Sequence, residues 1–288
     1  MTFLYLFLQQ REDIMVILSC RTRASKFVLT ILANNNTPQL TQQPITITTT
    51  LATTASTTTS ATMLPVTVFG SFGTGNGQFN YPYGIVYDNH KQHILVADRN
   101  NHRIQVFTKQ GQYVNQFGSQ GSQPGQFKYP SQLSLHPVSN HILVADSYND
   151  RVQLFNPQGQ FVTVVGQTIL QLPFAVDCHS TLSNNNNNNP LPQHIVAADY
   201  RHQIRLFSIS NNPNNNNSSD YTLLRSFSSH GNNQHQTNGV FGLCCDDERK
   251  RILVADCNNH RLSVWSGDGS QFLHNIPIPY NNNNNIQY

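Results

Sequence analysis

The sequence predicts an all-β fold: a β-propeller of four recognisable four-stranded antiparallel blades behind a disordered Thr/Asn-rich N-terminal arm. Three observations carry this. A stretch at 93–107, HILVADRNNHRIQVF, recurs as HILVADSYNDRVQLF at 141–155, HIVAADYRHQIRLF at 194–207 and RILVADCNNHRLSVW at 251–265. Its aspartates, Asp98, Asp146, Asp199 and Asp256, stand 48, 53 and 57 residues apart, a period typical of propellers and repeat arrays. The segments between copies also repeat, VTVFGSFGTGNGQFNYP at 66–82 against VNQFGSQGSQPGQFKYP at 114–130. Finally, each copy holds two short apolar runs rich in Val, Ile and Phe, which read as strands and not helices.

The unit is justified strand by strand. Ile94 to Ala97 and Ile104 to Phe107 flank Arg99-Asn100-Asn101-His102, a polar gap whose Asn residues tolerate left-handed backbone and close a hairpin. Tyr83 to Asp88 supplies a strand before it and Gln112 to Gly118 one after it. Four antiparallel strands make a propeller blade. The units fall at about 74–118, 122–166, 171–228 and 238–278, inside a domain spanning 65–280.

Outside the repeats the chain is polar and sparse in charge. It has 288 residues, a formal net charge of +3 and 11% charged residues, against about 25% in an ordinary soluble protein. A chain this mildly basic is not built primarily to hold nucleic acid. Residues 1–33 alternate short apolar pieces with Arg11, Arg21, Arg23 and Lys26; none reaches the ~20 apolar residues of a spanning helix, and no membrane association is expected. Residues 34–64 are a low-complexity linker, and 281–288 an Asn-rich tail; such segments bury too little surface to order. Asn184–Asn189 and Asn214–Asn217 lengthen unit three at its loops, where insertion is cheap. The five cysteines include no C-x-x-C pair, which favours a reducing, cytoplasmic setting. Cys178, Cys244 and Cys245 fall in inner strands as small buried hydrophobes.

The patterns GQFNYPYGIVYD at 77–88 and VADRNNHRIQVF at 96–107 resemble the NHL repeat family of β-propellers. The resemblance is strong in units one and two, weakens in unit three, where Gln203 stands in the arginine position, and recovers in unit four. It implies a binding role for one loop face, for protein and in some members for RNA, and it implies five or six blades where four are visible here. Val66 to Phe72 could act as the outer strand of the last blade and clasp the ring, although Gln271 to Ile278 offers that blade its own. An arc that does not close would dimerise or aggregate.

Hairpin turns and blade-to-blade connections share one face of a propeller. That face is expected to carry Arg99, Asn101, His102, Lys128, Tyr129, Tyr148, Tyr200, Arg201, His202, Asn259 and His260, a mixture suited to protein or single-stranded RNA. Asp98 with Arg103, Asp146 with Arg151, Asp256 with Arg261, and Asp199 recur unit by unit; they read as structural, the aspartate accepting turn N–H groups and the arginine tying the hairpin to its neighbour. His93, His141 and His194 also recur, but symmetric positions stand too far apart for the about 2.0–2.1 Å bonds of a His-bound metal. No phosphate loop, G-x-S-x-G or H-E-x-x-H occurs, so no cofactor and no catalysis are expected. The sequence therefore predicts a non-catalytic binding propeller, chiefly for protein. The family resemblance extends this to substrate recognition in a ubiquitin-ligase-like system without a RING of its own. Single-stranded RNA binding is the second reading, and a lyase or hydrolase with a channel metal the third.

Overall fold

The computed structural model describes residues 69–179, 194–209 and 221–277, and the backbone of three short strands, Phe7–Gln10, Ile14–Ile17 and Thr30–Ala33. The expected linker at 34–64, the Asn runs, the tail and Cys20 lie outside the described residues.

Four four-stranded antiparallel sheets follow one another along the polypeptide, each in simple sequential order. Blade 1 comprises strands A Pro82–Asp88, B His93–Asp98, C Arg103–Thr108 and D Tyr113–Phe117. Blade 2 has Pro130–Leu135, Ile142–Asp146, Arg151–Phe155 and Phe161–Val165. Blade 3 has Pro173–His179, His194–Asp199, Ile204–Ile209 and Tyr221–Phe227. Blade 4 has Val240–Asp246, Arg251–Asp256, Arg261–Ser266 and Phe272–Pro277. Strand A of each blade packs beside strand A of the next, from blade 1 to blade 4, as inner strands do around a propeller axis.

Both faces of strand B are apolar because each sheet is packed between two neighbours. Ile142 and Val144 of blade 2 face blade 1 and join Leu95, Ala97, Ile104 and Val106. Leu143 and Ala145 face blade 3 and join Ile195 and Ala197. The same division gives Val196 and Ala198 to the seam with Ile252 and Val254 of blade 4. Alternate residues thus feed alternate seams, so the strand reads as an unbroken apolar run instead of an in–out alternation.

The fourth seam is different. The front face of blade 1 forms a cluster of Phe79, Ile94, Val96 and Phe107, against which Phe69, Ile85, Tyr87 and Tyr113 pack; among the described residues no side group of blade 4 joins it. The back face of blade 4 is correspondingly looser: Leu253 and Leu262 are half-exposed, whereas their counterparts Leu95, Leu143, Ile104 and Val152 are at most 4% exposed. Strand D of blade 4 is Phe272–Pro277, fully paired with strand C, so the segment ending at Phe72 does not complete that blade. Phe69 instead packs on Phe107 with ring centroids 4.9 Å apart, as Phe117 of blade 1 packs on Phe155 of blade 2 at 5.0 Å. It therefore occupies the place of an outer-strand residue from a blade preceding blade 1. The strands Phe7–Gln10, Ile14–Ile17 and Thr30–Ala33 form an antiparallel sheet, and the second of them lies against strand A of blade 1.

Candidate binding face

The loop face is built by a latch that recurs in every blade. After strand B comes one turn of 3-10 helix, Arg99–Asn101 in blade 1, closed by His102 in the left-handed region at φ 55°. Asp98 and Arg103 thereby come to face each other across the B–C ladder. Asp98 Oδ2 accepts from Arg103 Nε at 2.8 Å, from Gln105 Nε2 at 3.1 Å and from Asn101 Nδ2 at 2.9 Å. Its other oxygen accepts from the backbone N–H of Asn80 at 2.7 Å. Arg103 Nη2 donates to the carbonyls of Gly75 and Gln78 at 2.8 and 2.9 Å, and Asn101 Nδ2 to that of Gly73 at 2.8 Å.

The backbone N–H that Asp98 accepts belongs to the incoming connection and not to its own turn as the sequence suggested, and the side chains it orients, Arg103 and Asn101, serve that connection's carbonyls; in blade 3 Asp199 does accept from its own turn, from Arg201 N at 3.1 Å. The correction has a simple cause: that connection is irregular backbone running over buried surface, and its polar groups need partners. Blade 2 repeats the geometry through Asp146, Arg151, Gln153 and Asn149, and blade 4 through Asp256, Arg261 and Asn259. Blade 3 has a shorter turn and exchanges the two long polar side groups: Gln203 takes the arginine position, and Arg205, in the glutamine position, pairs with Asp199. The departure at Gln203 is therefore compensated two residues later. Gln105 and Gln153 are fully buried members of the latch that the Asp–Arg pattern alone did not single out.

A second device joins neighbouring blades. His102 Nδ1 accepts from the N–H of Tyr129, the residue before strand A of blade 2, at 3.0 Å. Asp150 Oδ1 accepts from Leu172 N at 2.7 Å and His202 Nδ1 from Gly239 N at 3.0 Å. The residue closing each hairpin thus staples the blade that follows. Burial chiefly holds the His102 and His202 imidazoles below the ordinary histidine range, for His202 with added repulsion from His230, so both are neutral acceptors.

The expected binding residues therefore divide. Asn101, Asn259, His102 and His202 reach the loop face but spend their side chains on the latch and the staple. Arg201 donates to Gln171, and His260 closes the third 3-10 turn. Lys128 is exposed. The residues the fold gathers into one open surface are Arg99, Tyr129 and Tyr148. The Arg99 guanidinium lies 5.2 Å from the Tyr129 ring centroid and 5.8 Å from that of Tyr148, and the two rings are 4.8 Å apart. Tyr148 is 51% exposed, Tyr81 56% and Tyr200 60%, so flat aromatic surface recurs around this face. Beneath it, burial pushes the Tyr83 hydroxyl up to about 12, against an opposing pull from Arg99.

His93 and His194 open strand B of their blades and His141 immediately precedes its own, all at the other end of the hairpin from this face. Arg251, in the same place in blade 4, instead pairs with Asp246 at 2.9 Å. Among the described residues no group of three or more His, Cys, Asp or Glu is arranged to hold a metal ion. Cys178, Cys244 and Cys245 are thiols outside any disulfide, buried in strands A, and burial drives the Cys245 thiol far up. No helix among the described residues is long and apolar enough to cross a membrane.

Fold and face together define a repeat-built β-propeller, latched from within and open on one loop surface. The NHL repeat model matches residues 79–107, the span holding the latch of blade 1, so that stretch is an NHL repeat. Its similarity to characterised proteins is local. It is 51% identical over 45 residues to protein brain tumor of Drosophila melanogaster, covering 16% of this chain and 4% of that protein. It is 38% identical over 52 residues to protein lin-41 of Caenorhabditis elegans, covering 18% and 4%. It is 48% identical over 50 residues to E3 ubiquitin-protein ligase TRIM71 of Rattus norvegicus, covering 17% and 6%. The chain therefore matches only a small part of each relative's length. Among solved structures, one polypeptide of a nidogen/laminin complex is similar at TM-score 0.49 and 15% identity, over 67% of this chain and 64% of that one, a likeness too slight to bear on the fold.

Proposed function

We propose that this protein is a binding propeller that takes a protein partner on its loop face. One observation carries the reading: Arg99, Tyr129 and Tyr148 form a contiguous aromatic–cation surface, while the recurrent Asp, Arg, Gln and Asn side chains around it are consumed by the fold. Tyrosine and arginine clusters are the residue types that dominate protein interfaces, because they offer large rigid area at low entropy cost. The relative whose name is that of an E3 ubiquitin ligase supports a sharper version, in which the propeller selects a substrate for ubiquitination by a separate catalytic part.

The test is site-directed photocrosslinking of the full-length protein in cells. A crosslinker replacing Tyr148 is expected to capture protein adducts that one replacing Val138 does not; Val138 is 70% exposed in the A–B turn at the opposite end of blade 2. Equal capture from both positions, or none from Tyr148, would remove the reading. RNA is the second reading, favoured by Lys128 beside exposed rings that bases could stack on; recovery of RNA adducts from Tyr148, with an affinity falling steeply as salt rises, would put it first.

A further inference from the structure

Arg99 stands in the first position of its turn, where blades 2 and 4 have Ser147 and Cys257. Ser147 has a structural task there: its hydroxyl donates to the carbonyl of Pro173 in the next blade at 2.7 Å. Arg99 has none. Arg103, Arg151, Arg205, Arg251 and Arg261 each hold a carboxylate, and Arg201 holds Gln171. Among the described residues Arg99 is the partly buried arginine whose guanidinium meets no acceptor: its Nε is shut off from water and unpaired.

A charged donor denied both water and a partner costs more than a neutral one. The two tyrosine rings stabilise the cation through its plane but leave its hydrogen-bonding edge unused. With Nε enclosed, the two terminal Nη groups are the pair left for a ligand, and such a pair matches a carboxylate in bidentate fashion. A single guanidinium among aromatics suits one carboxylate better than a nucleic-acid backbone, which needs cations repeated along a track.

Resting on the reading of the loop face as a protein-binding surface, we infer that Arg99 is the receptor for a carboxylate of the partner, held between Tyr129 and Tyr148. The carboxylate belongs to an Asp or Glu residue or to the free C-terminus of the partner. Arg99 is the specificity determinant and the tyrosines are the apolar clamp.

The test is selection of random heptapeptides on the full-length protein in two display formats, one with the peptide internal and one with a free C-terminus. Arg99→Leu and Tyr148→Ala proteins are run in parallel. The native protein is expected to select an acidic residue fixed at one position in the internal format if the carboxylate is a side chain. It is expected to select only in the free-end format if it is a C-terminus. Arg99→Leu should select neither. The best acidic peptide should bind the native protein about tenfold more tightly than its amide counterpart, as a charge pair removed from water allows, and the two should bind Arg99→Leu equally. Arg99→Lys, which keeps the charge without the paired edge, should recover only part of the preference. Arg99→Leu should unfold no lower than the native protein, since the Arg99 guanidinium meets no acceptor in the fold and the change removes its unpaired buried donor.

Peptides that depend on Tyr148 but show neither acid nor free-end preference would overturn the inference and leave the protein-binding reading standing. Selection of the same acidic peptides by Arg99→Leu would also overturn it. If no selected peptide depends on Tyr148, both fall together.

Discussion

At the residue scale, the latch concentrates energy in a few buried polar atoms. Asp146 is fully buried and accepts from Arg151, Gln153, Asn149 and the N–H of Lys128. Burial outweighs these bonds and leaves its carboxyl somewhat above the usual range, a sign of how far it has been removed from water. Asp146→Ala should destabilise the protein by about 3–5 kcal/mol, because Arg151 is left charged, buried and unpaired; the midpoint of urea unfolding reads this directly. The histidine staples give a pH dependence. His102 and His202 have folded values lowered by burial, so the unfolded protein takes up protons first as pH falls. Their contribution is full above the unfolded value of about 6.5 and is lost as pH drops through the lowered folded values. Unfolding midpoints measured from pH 7.5 to pH 5 should fall, and His102→Asn, which keeps an acceptor but cannot titrate, should fall less. The Asp–Arg pairing could be read from the sequence because both partners recur at fixed spacing. The places of Asn101, His102 and Asn259 in the latch and staple could not, since their partners lie on loops 27 or 28 residues away with no periodic signal of their own.

At the scale of elements, the strands were legible for a reason the seams explain. Packing on both faces forces apolar residues onto consecutive positions, and short runs of Val, Ile and Leu bounded by Asp and Asn admit few readings but strand. The last strand was the ambiguous one: Pro277 argues against a ladder, yet it sits at the strand's final pair with Arg261, where a proline is tolerated. Close approach between elements is also local. A Cβ on Gly84 in strand A of blade 1 would lie 2.5 Å from the carbonyl oxygen of Ser131 and 2.8 Å from Gln132 Cα. Both atoms are backbone of the next inner strand, so Gly84→Ala must push two blades apart. It should cost about 1–3 kcal/mol, whereas Gly77→Ala, with no atom within 4 Å, pays only for its left-handed backbone.

At the scale of the molecule, the four blades are joined by three shared cores, while among the described residues the outward faces of blades 1 and 4 share none. Leu206 lies fully buried in the seam between blades 3 and 4, and Leu206→Ala should cost about 2–5 kcal/mol. Leu262, on the half-exposed back of blade 4, should cost well under half of that when changed to Ala; paired denaturation curves of the two variants measure the asymmetry. An equal cost would mean that the back of blade 4 is as tightly packed as the shared cores. The sequence could count blades but could not say what lies against blade 1, because Phe69 resembles an outer-strand residue whichever blade it serves. Its place on Phe107 is a fact of packing in three dimensions.

The latch also says where this gene can be cut. Each hairpin grips the connection that precedes it, residues 73–80 by residues 98–105 in blade 1, so the heritable module is a loop plus the hairpin after it, out of phase with the sheets. Duplication or loss of a unit is tolerable when its ends fall in the C–D turns, such as 109–112, where no latch is severed. The same event with ends inside 73–105 separates a carboxylate from the backbone it holds, and a protein made that way should be less stable than one cut in a C–D turn.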